Sequence, residues 1–157
     1  MLSEDVFYAS KAHLAVYGAL LKDLAIELGE KKALDISMKF WDQMATAFAK
    51  DFKKQRESEM DLSAIAKANN DSMIKLGFDR KADVSPTNIV YTTNKCPLYE
   101  AFKQAGLSHD NIKAFCAGTT KIYTTKLKKL YDPNSCYKLQ FRASENDVCV
   151  EEMVLKA

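Results

Sequence analysis

Thr87-Asn-Ile-Val-Tyr-Thr-Thr-Asn-Lys-Cys96-Pro97-Leu-Tyr-Glu-Ala-Phe-Lys-Gln-Ala-Gly106 changes its periodicity across one dipeptide. Ahead of it, Ile89, Tyr91 and Thr93 alternate with Val90 and Thr92. Such a β-branched, aromatic run predicts a strand over 87–94. Pro97 suits a first helical turn, where its fixed φ is pre-set and its missing N–H would find no helical partner anyway. The spacing predicts a short helix from Pro97, closed by Gly106.

Upstream, Phe7, Leu14, Tyr17, Leu21, Leu24 and Leu28 form one helical stripe over about 4–28, and Gly29 sits where a C′ glycine ends a helix. Leu34, Met38, Trp41, Ala45, Phe48 and Phe52 form another over about 31–55. Asp61 is placed to cap a third, running through Ile65 and Met73 to Gly77. A weak strand-like segment, Phe78 to Val84, ends at Ser85-Pro86. Downstream, Ser108 caps a longer helix carrying Ile112, Phe115, Ile122, Leu127 and Leu130, which Pro133-Asn134 stops. Two strands close the chain around a turn at Ser144–Asp147, the first marked by Tyr137, Leu139 and Phe141, the second by Val148, Val150 and Val154. The order ααα-ββ-αα-ββ predicts an α+β fold, N-terminal helices packed with a small antiparallel sheet, in a single domain over 1–157.

The composition excludes several classes of function. A net charge of +2, from 23 basic and 21 acidic residues, offers no footprint for nucleic acid or an anionic membrane. The five glycines are too scattered for a GxGxxG turn or a phosphate loop. Two histidines, His13 and His109, cannot build a three-His zinc site or HExxH. The start lacks the n- and h-regions of a signal peptide, and no apolar run reaches membrane-spanning length. The chain is therefore expected to be cytoplasmic, with its four cysteines reduced. The first two helical stripes suit either core packing or a homo-oligomer.

Cys96, Cys116, Cys136 and Cys149 form no CxxC pair. Cys96, between strand and helix, is placed where a helix N-terminus favours thiolate; a small buried residue at a tight junction fits the same position. Cys116 lies beside Phe115 on a helix, either core or pocket wall. Cys149 alternates with Val148 and Val150 and so faces the other side of the sheet. If that side meets the helix bearing Cys116, three thiols line one pocket. Glu100, one turn into its helix, is either a proton-handling group or a carboxylate matched to the helix dipole. His109 is read as an exposed helix-start residue, His13 as a surface residue, and the lysines 121, 126, 128 and 129 as a solvated face.

The stretch Cys96-Pro-Leu-Tyr-Glu-Ala-Phe102, then Gly106-Leu107, Phe115-Cys116 and Asp147-Val-Cys149, resembles the L-2-amino-thiazoline-4-carboxylic acid hydrolase family over about residues 10–155. Members of that family are similar to four-vinyl-reductase-type small-molecule-binding domains. This implies a ligand pocket between sheet and helices, and hydrolytic opening of a cyclic isothiourea-like ring toward carbamoyl-cysteine. The resemblance places Cys96 as nucleophile or ligand-contacting thiol, and Glu100 or Asp147 as the group handling protons. Tyr99, Cys116, Thr119 and Cys149 would contact the ligand. Thr119 stands where the family pattern leads one to expect an acidic residue. No cofactor is implied. A non-catalytic binding or sensor module and a zinc site on Cys96, Cys116 and Cys149 are the alternatives.

Overall fold

Each predicted element forms close to its expected bounds, because capping and turn residues sit where the stripes begin and end. The computed structural model describes residues 4–57, 61–130, 132–144 and 146–154. In chain order the elements are α1 (Glu4–Leu28), α2 (Glu30–Glu57), α3 (Leu62–Lys75), β1 (Asp79–Val84), β2 (Asn88–Lys95), α4 (Pro97–Gln104), α5 (His109–Leu130), β3 (Cys136–Gln140) and β4 (Cys149–Val154). Gly29 adopts φ +83° in open space, so the α1–α2 corner needs glycine for its backbone and not for room. Asp61 caps α3 by accepting the Ala64 N–H at 2.7 Å, and Ser108 accepts the Asn111 N–H at 3.1 Å at the head of α5. The turn expected at Ser144–Asp147 includes residue 145, which lies outside the described residues; its ends are tied by the Asp147 N–H to the Ser144 carbonyl at 3.3 Å.

The four strands form one antiparallel sheet in the order β1-β2-β4-β3. This is the expected α+β fold, helix-rich with a small sheet. Ile89, Tyr91 and Met153 on one sheet face pack with Ala49 and Phe52 of α2, Ile65 and Ala66 of α3, and Leu127 of α5. On the other face, Lys138 and Asn88 both reach Glu152, at 3.0 and 2.8 Å. The valines that mark β4 in the sequence lie on this outer face. The inward set is Cys149, Glu151 and Met153, whose register partners in β2 are Thr93, Tyr91 and Ile89. Phe141 lies just past the end of β3.

A second apolar cluster joins Leu21 of α1, Ala33 of α2, Tyr99 and Phe102 of α4, and Ile112 and Phe115 of α5. α1 approaches α4 closely at Gly18, where a Cβ would stand 3.0 Å from Phe102 Cδ1 and 3.1 Å from Ala105 Cβ. Val16, Leu20, Phe40 and Met44 remain exposed on α1 and α2. No helix among the described residues is long and apolar enough to cross a membrane. Truncating the fully buried Phe102 to alanine is expected to cost about 3–5 kcal/mol. Gly18→Val is expected to cost about 1–3 kcal/mol by overpacking the α1–α4 contact. Urea unfolding measures both, and a neutral Gly18→Val would mean the two helices are not in that contact.

Candidate functional site

The two apolar clusters do not merge. Between them lies a cavity of about 210 Å³ whose walls come from both: Trp41, Leu98, Phe115 and Phe141 on one side, Phe48 and Tyr137 on the other. That volume is below the roughly 300–1,000 Å³ of pockets for drug-sized ligands, which suits a smaller molecule. The helix-covered sheet face forms the floor. Register sets Arg80, Thr93 and Cys149 in one cross-strand row, and Leu139 and Glu151 in the next. The stripe Phe115, Cys116, Thr119, Thr120 and Tyr123 of α5 forms the roof, and Cys96 closes one end at the β2–α4 junction. A second, larger cleft of about 500 Å³ runs between the α1–α2 corner and the α4–α5 connection, with none of the sequence-derived candidates in its walls.

Cys96, Cys116, Cys149 and Thr119 thus meet at one cavity. Cys96 is the N-cap of α4: its backbone is extended (φ −120°, ψ 109°) and its Sγ accepts the Tyr99 N–H at 3.4 Å. Of the two readings of this position, the surroundings oppose the thiolate. Burial pushes the Cys96 thiol up to about 12, outweighing the Tyr99 N–H and the Arg142 charge that favour ionisation. Burial likewise raises Cys116, and its two cysteine neighbours add to the effect. Cys149 receives the Arg142 Nε–H at 3.4 Å. Arg142 is anchored by the Thr93 and Asn94 carbonyls, at 3.4 and 3.1 Å, and lies 4.7 Å from the Tyr99 ring centroid. The Thr119 hydroxyl donates back to the Cys116 carbonyl at 2.8 Å. Among the described residues, no group of three or more His, Cys, Asp or Glu side chains is arranged to hold a metal ion. The three thiols share a space without forming a zinc ligand set.

Other candidates fall elsewhere. Tyr99 is buried behind the wall, its hydroxyl sharing a 3.3 Å hydrogen bond with His109 Nδ1. His109 is accordingly half-buried against Phe141 and not the exposed helix-start residue expected. Glu100 does not line the cavity. Asp147 is exposed and accepts the Ala143 and Val148 N–H groups at 2.9 and 2.8 Å. These bonds hold its carboxyl below the usual range and mark it as a turn residue. Lys126, expected on a solvated face, is half-buried and pairs with Asp42 at 2.7 Å.

The sequence reading missed the charged pair on the floor. Arg80 is only 6% exposed, and one Nη donates to Glu151 Oε2 at 2.8 Å. The same nitrogen lies 3.4 Å from the Tyr137 hydroxyl, and the guanidinium stacks 3.8 Å over the Tyr91 ring centroid. Burial drives Tyr91 up to about 12 and Tyr137 well above its ordinary value. A signal existed: Glu151 stands two residues after Cys149, so any face given to Cys149 also belongs to Glu151.

The raised groups make stability fall at high pH. The folded state keeps protons on Cys96 and Tyr91 that the unfolded chain loses above their ordinary values of 9.0 and 10.0. Unfolding therefore releases protons, and stability is expected to drop between pH 9 and pH 12. The urea midpoint should be lower at about pH 10.5 than at about pH 8, and Cys96→Ala should narrow the difference. Equal midpoints would mean that water reaches the thiol.

The model of the L-2-amino-thiazoline-4-carboxylic acid hydrolase family matches residues 9–130. That range carries Arg80, Cys96 and Cys116, and it ends before β3 and β4, which bring Cys149 and Glu151. It is thus shorter at the C-terminal end than the resemblance read from the sequence. No curated protein matches the chain. Since the match takes in most of α1, all of α2 to α5 and the β2–Cys96–α4 junction on which the cavity is built, the chain belongs to the L-2-amino-thiazoline-4-carboxylic acid hydrolase family.

Proposed function

We propose that the chain hydrolyses a small cyclic amidine-like substrate of the L-2-amino-thiazoline-4-carboxylate type inside the 210 Å³ cavity. The observation that carries this reading is the wall chemistry. In a chain of this family, one small cavity brings together three thiols, a buried guanidinium and a carboxylate. Water adds to the electron-poor ring carbon between nitrogen and sulfur. The carbon–sulfur bond then breaks, and the ring sulfur leaves as a thiol. One water is gained overall, giving a carbamoyl-cysteine.

Glu151 is the only carboxylate among the described lining residues, so it takes the water proton in place of Glu100 or Asp147. Cys96, held protonated by burial, acts as a ligand-contacting thiol and the cap of α4, while water is the nucleophile. Cys116, Thr119 and Cys149 contact the ring. Tyr99, expected to contact the ligand, acts instead by packing behind the wall. The protonated state of Cys96 equally favours a second reading, a small-molecule-binding module without turnover.

Purified reduced protein given L-2-amino-thiazoline-4-carboxylate separates the two. Product in excess of protein, followed by mass spectrometry, is the expected result; stabilisation by the compound with no product would establish the binding module. Glu151→Gln should lower kcat by about 10²–10⁴-fold, as loss of a general base does. Cys96→Ala should lower kcat/KM by about tenfold or more in a folded protein, and an unchanged value would remove Cys96 from the site.

A further inference from the structure

Arg80 is a buried charge, only 6% exposed, and its hydrogen-bonding capacity is not used up. A guanidinium carries five N–H donors in a planar fork. Here one Nη makes the contacts with Glu151 and Tyr137, while Nε, buried with the rest of the head group, has no hydrogen-bond partner among the described residues. Buried donors are ordinarily satisfied, so spare donor capacity in a guanidinium that lines the cavity points to something that the cavity admits. The pair is also an awkward choice for stability alone, since buried ion pairs often do no better than apolar residues of the same volume. The Tyr91 ring beneath the guanidinium and the Glu151 carboxylate beside it hold the fork in one orientation.

We propose that Arg80 is the specificity residue that binds the carboxylate of the ligand through its guanidinium, with Glu151 and Tyr91 positioning the fork. Arginine suits this task because its fork matches the two oxygens of a carboxylate, and a mostly apolar lining strengthens charge-assisted bonds. The ligand class is a small five-membered heterocycle bearing a carboxylate. This inference rests on the hydrolase reading for the ring and goes beyond it in assigning what distinguishes an acid from its decarboxylated analogue.

The test measures binding without turnover. 2-Aminothiazole-4-carboxylate and 2-aminothiazole are aromatic, resist addition of water, and differ only in the carboxylate. Calorimetry on the wild-type protein is expected to show the acid bound at least about tenfold more tightly. Arg80→Gln should bring the ratio close to one, and Arg80→Lys, which keeps the charge but loses the fork, should leave part of it. Should Arg80→Gln fail to fold with Glu151 left unpaired, the double variant Arg80→Gln/Glu151→Gln carries the same measurement without a buried lone charge.

A wild-type preference that survives loss of Arg80 overturns the proposal, as does a wild-type protein that binds neither compound or both equally. Turnover of L-2-amino-thiazoline-4-carboxylate is scored separately. Turnover with an Arg80-independent preference sinks the carboxylate anchor and leaves the hydrolase. An Arg80-dependent preference without turnover keeps the anchor and removes the hydrolase.

Discussion

A helix that starts in a protein interior has backbone N–H groups with no partner in its own first turn, and α4 must start directly at the end of a sheet strand. Between Lys95 and Pro97 there is one residue in which to do it. Pro97 removes one donor and Cys96 Sγ accepts another, from Tyr99. Sulfur is a weak acceptor, but its low polarity lets Cys96 pack with the helical cluster while it caps α4. From this junction the chain enters the sheet cluster in one direction and the helical cluster in the other. The cavity is the seam between them, so the residue that makes the fold connect also forms one end of the site.

The chemistry of the seam follows from its low polarity. Low polarity around Cys96 and Cys116 opposes ionisation more strongly than the helix end and Arg142 favour it, so proximity to positive charge does not by itself make a reactive thiolate. The same environment makes Arg80 intolerable without Glu151 and lends their contact directional strength. Trp41, Phe115 and three sulfur atoms offer dispersion contacts on the cavity walls, and the Arg80–Glu151 pair brings charge to its floor.

Secondary structure was legible because each element carries its own local instructions. Gly29, Asp61, Pro97 and Ser108 act within a few residues of themselves, and they bound helices where the stripes suggested. The faces were less legible. In β4, alternation put Cys149 opposite the valines without saying which side faces inward; Cys149, Glu151 and Met153 do, and they pair with Thr93, Tyr91 and Ile89 of β2. His109 and Lys126 were read as solvent-facing and are drawn in by Tyr99, Phe141 and Asp42, partners from distant segments or from across a turn.

The sequence by itself determined the order and kind of the elements, the strand-to-helix switch at Cys96-Pro97, and the candidate thiols. All of these depend on short-range sterics and periodicity. Only the tertiary structure decided which of the candidates share a space. It gathered Cys96, Cys116, Thr119 and Cys149, left Glu100 outside the wall and Asp147 in a surface turn, and introduced Arg80 and Glu151. The reason is that burial and the company of charges are properties of three-dimensional neighbourhoods: Arg80 and Glu151 stand 71 positions apart in the chain and 2.8 Å apart in the fold.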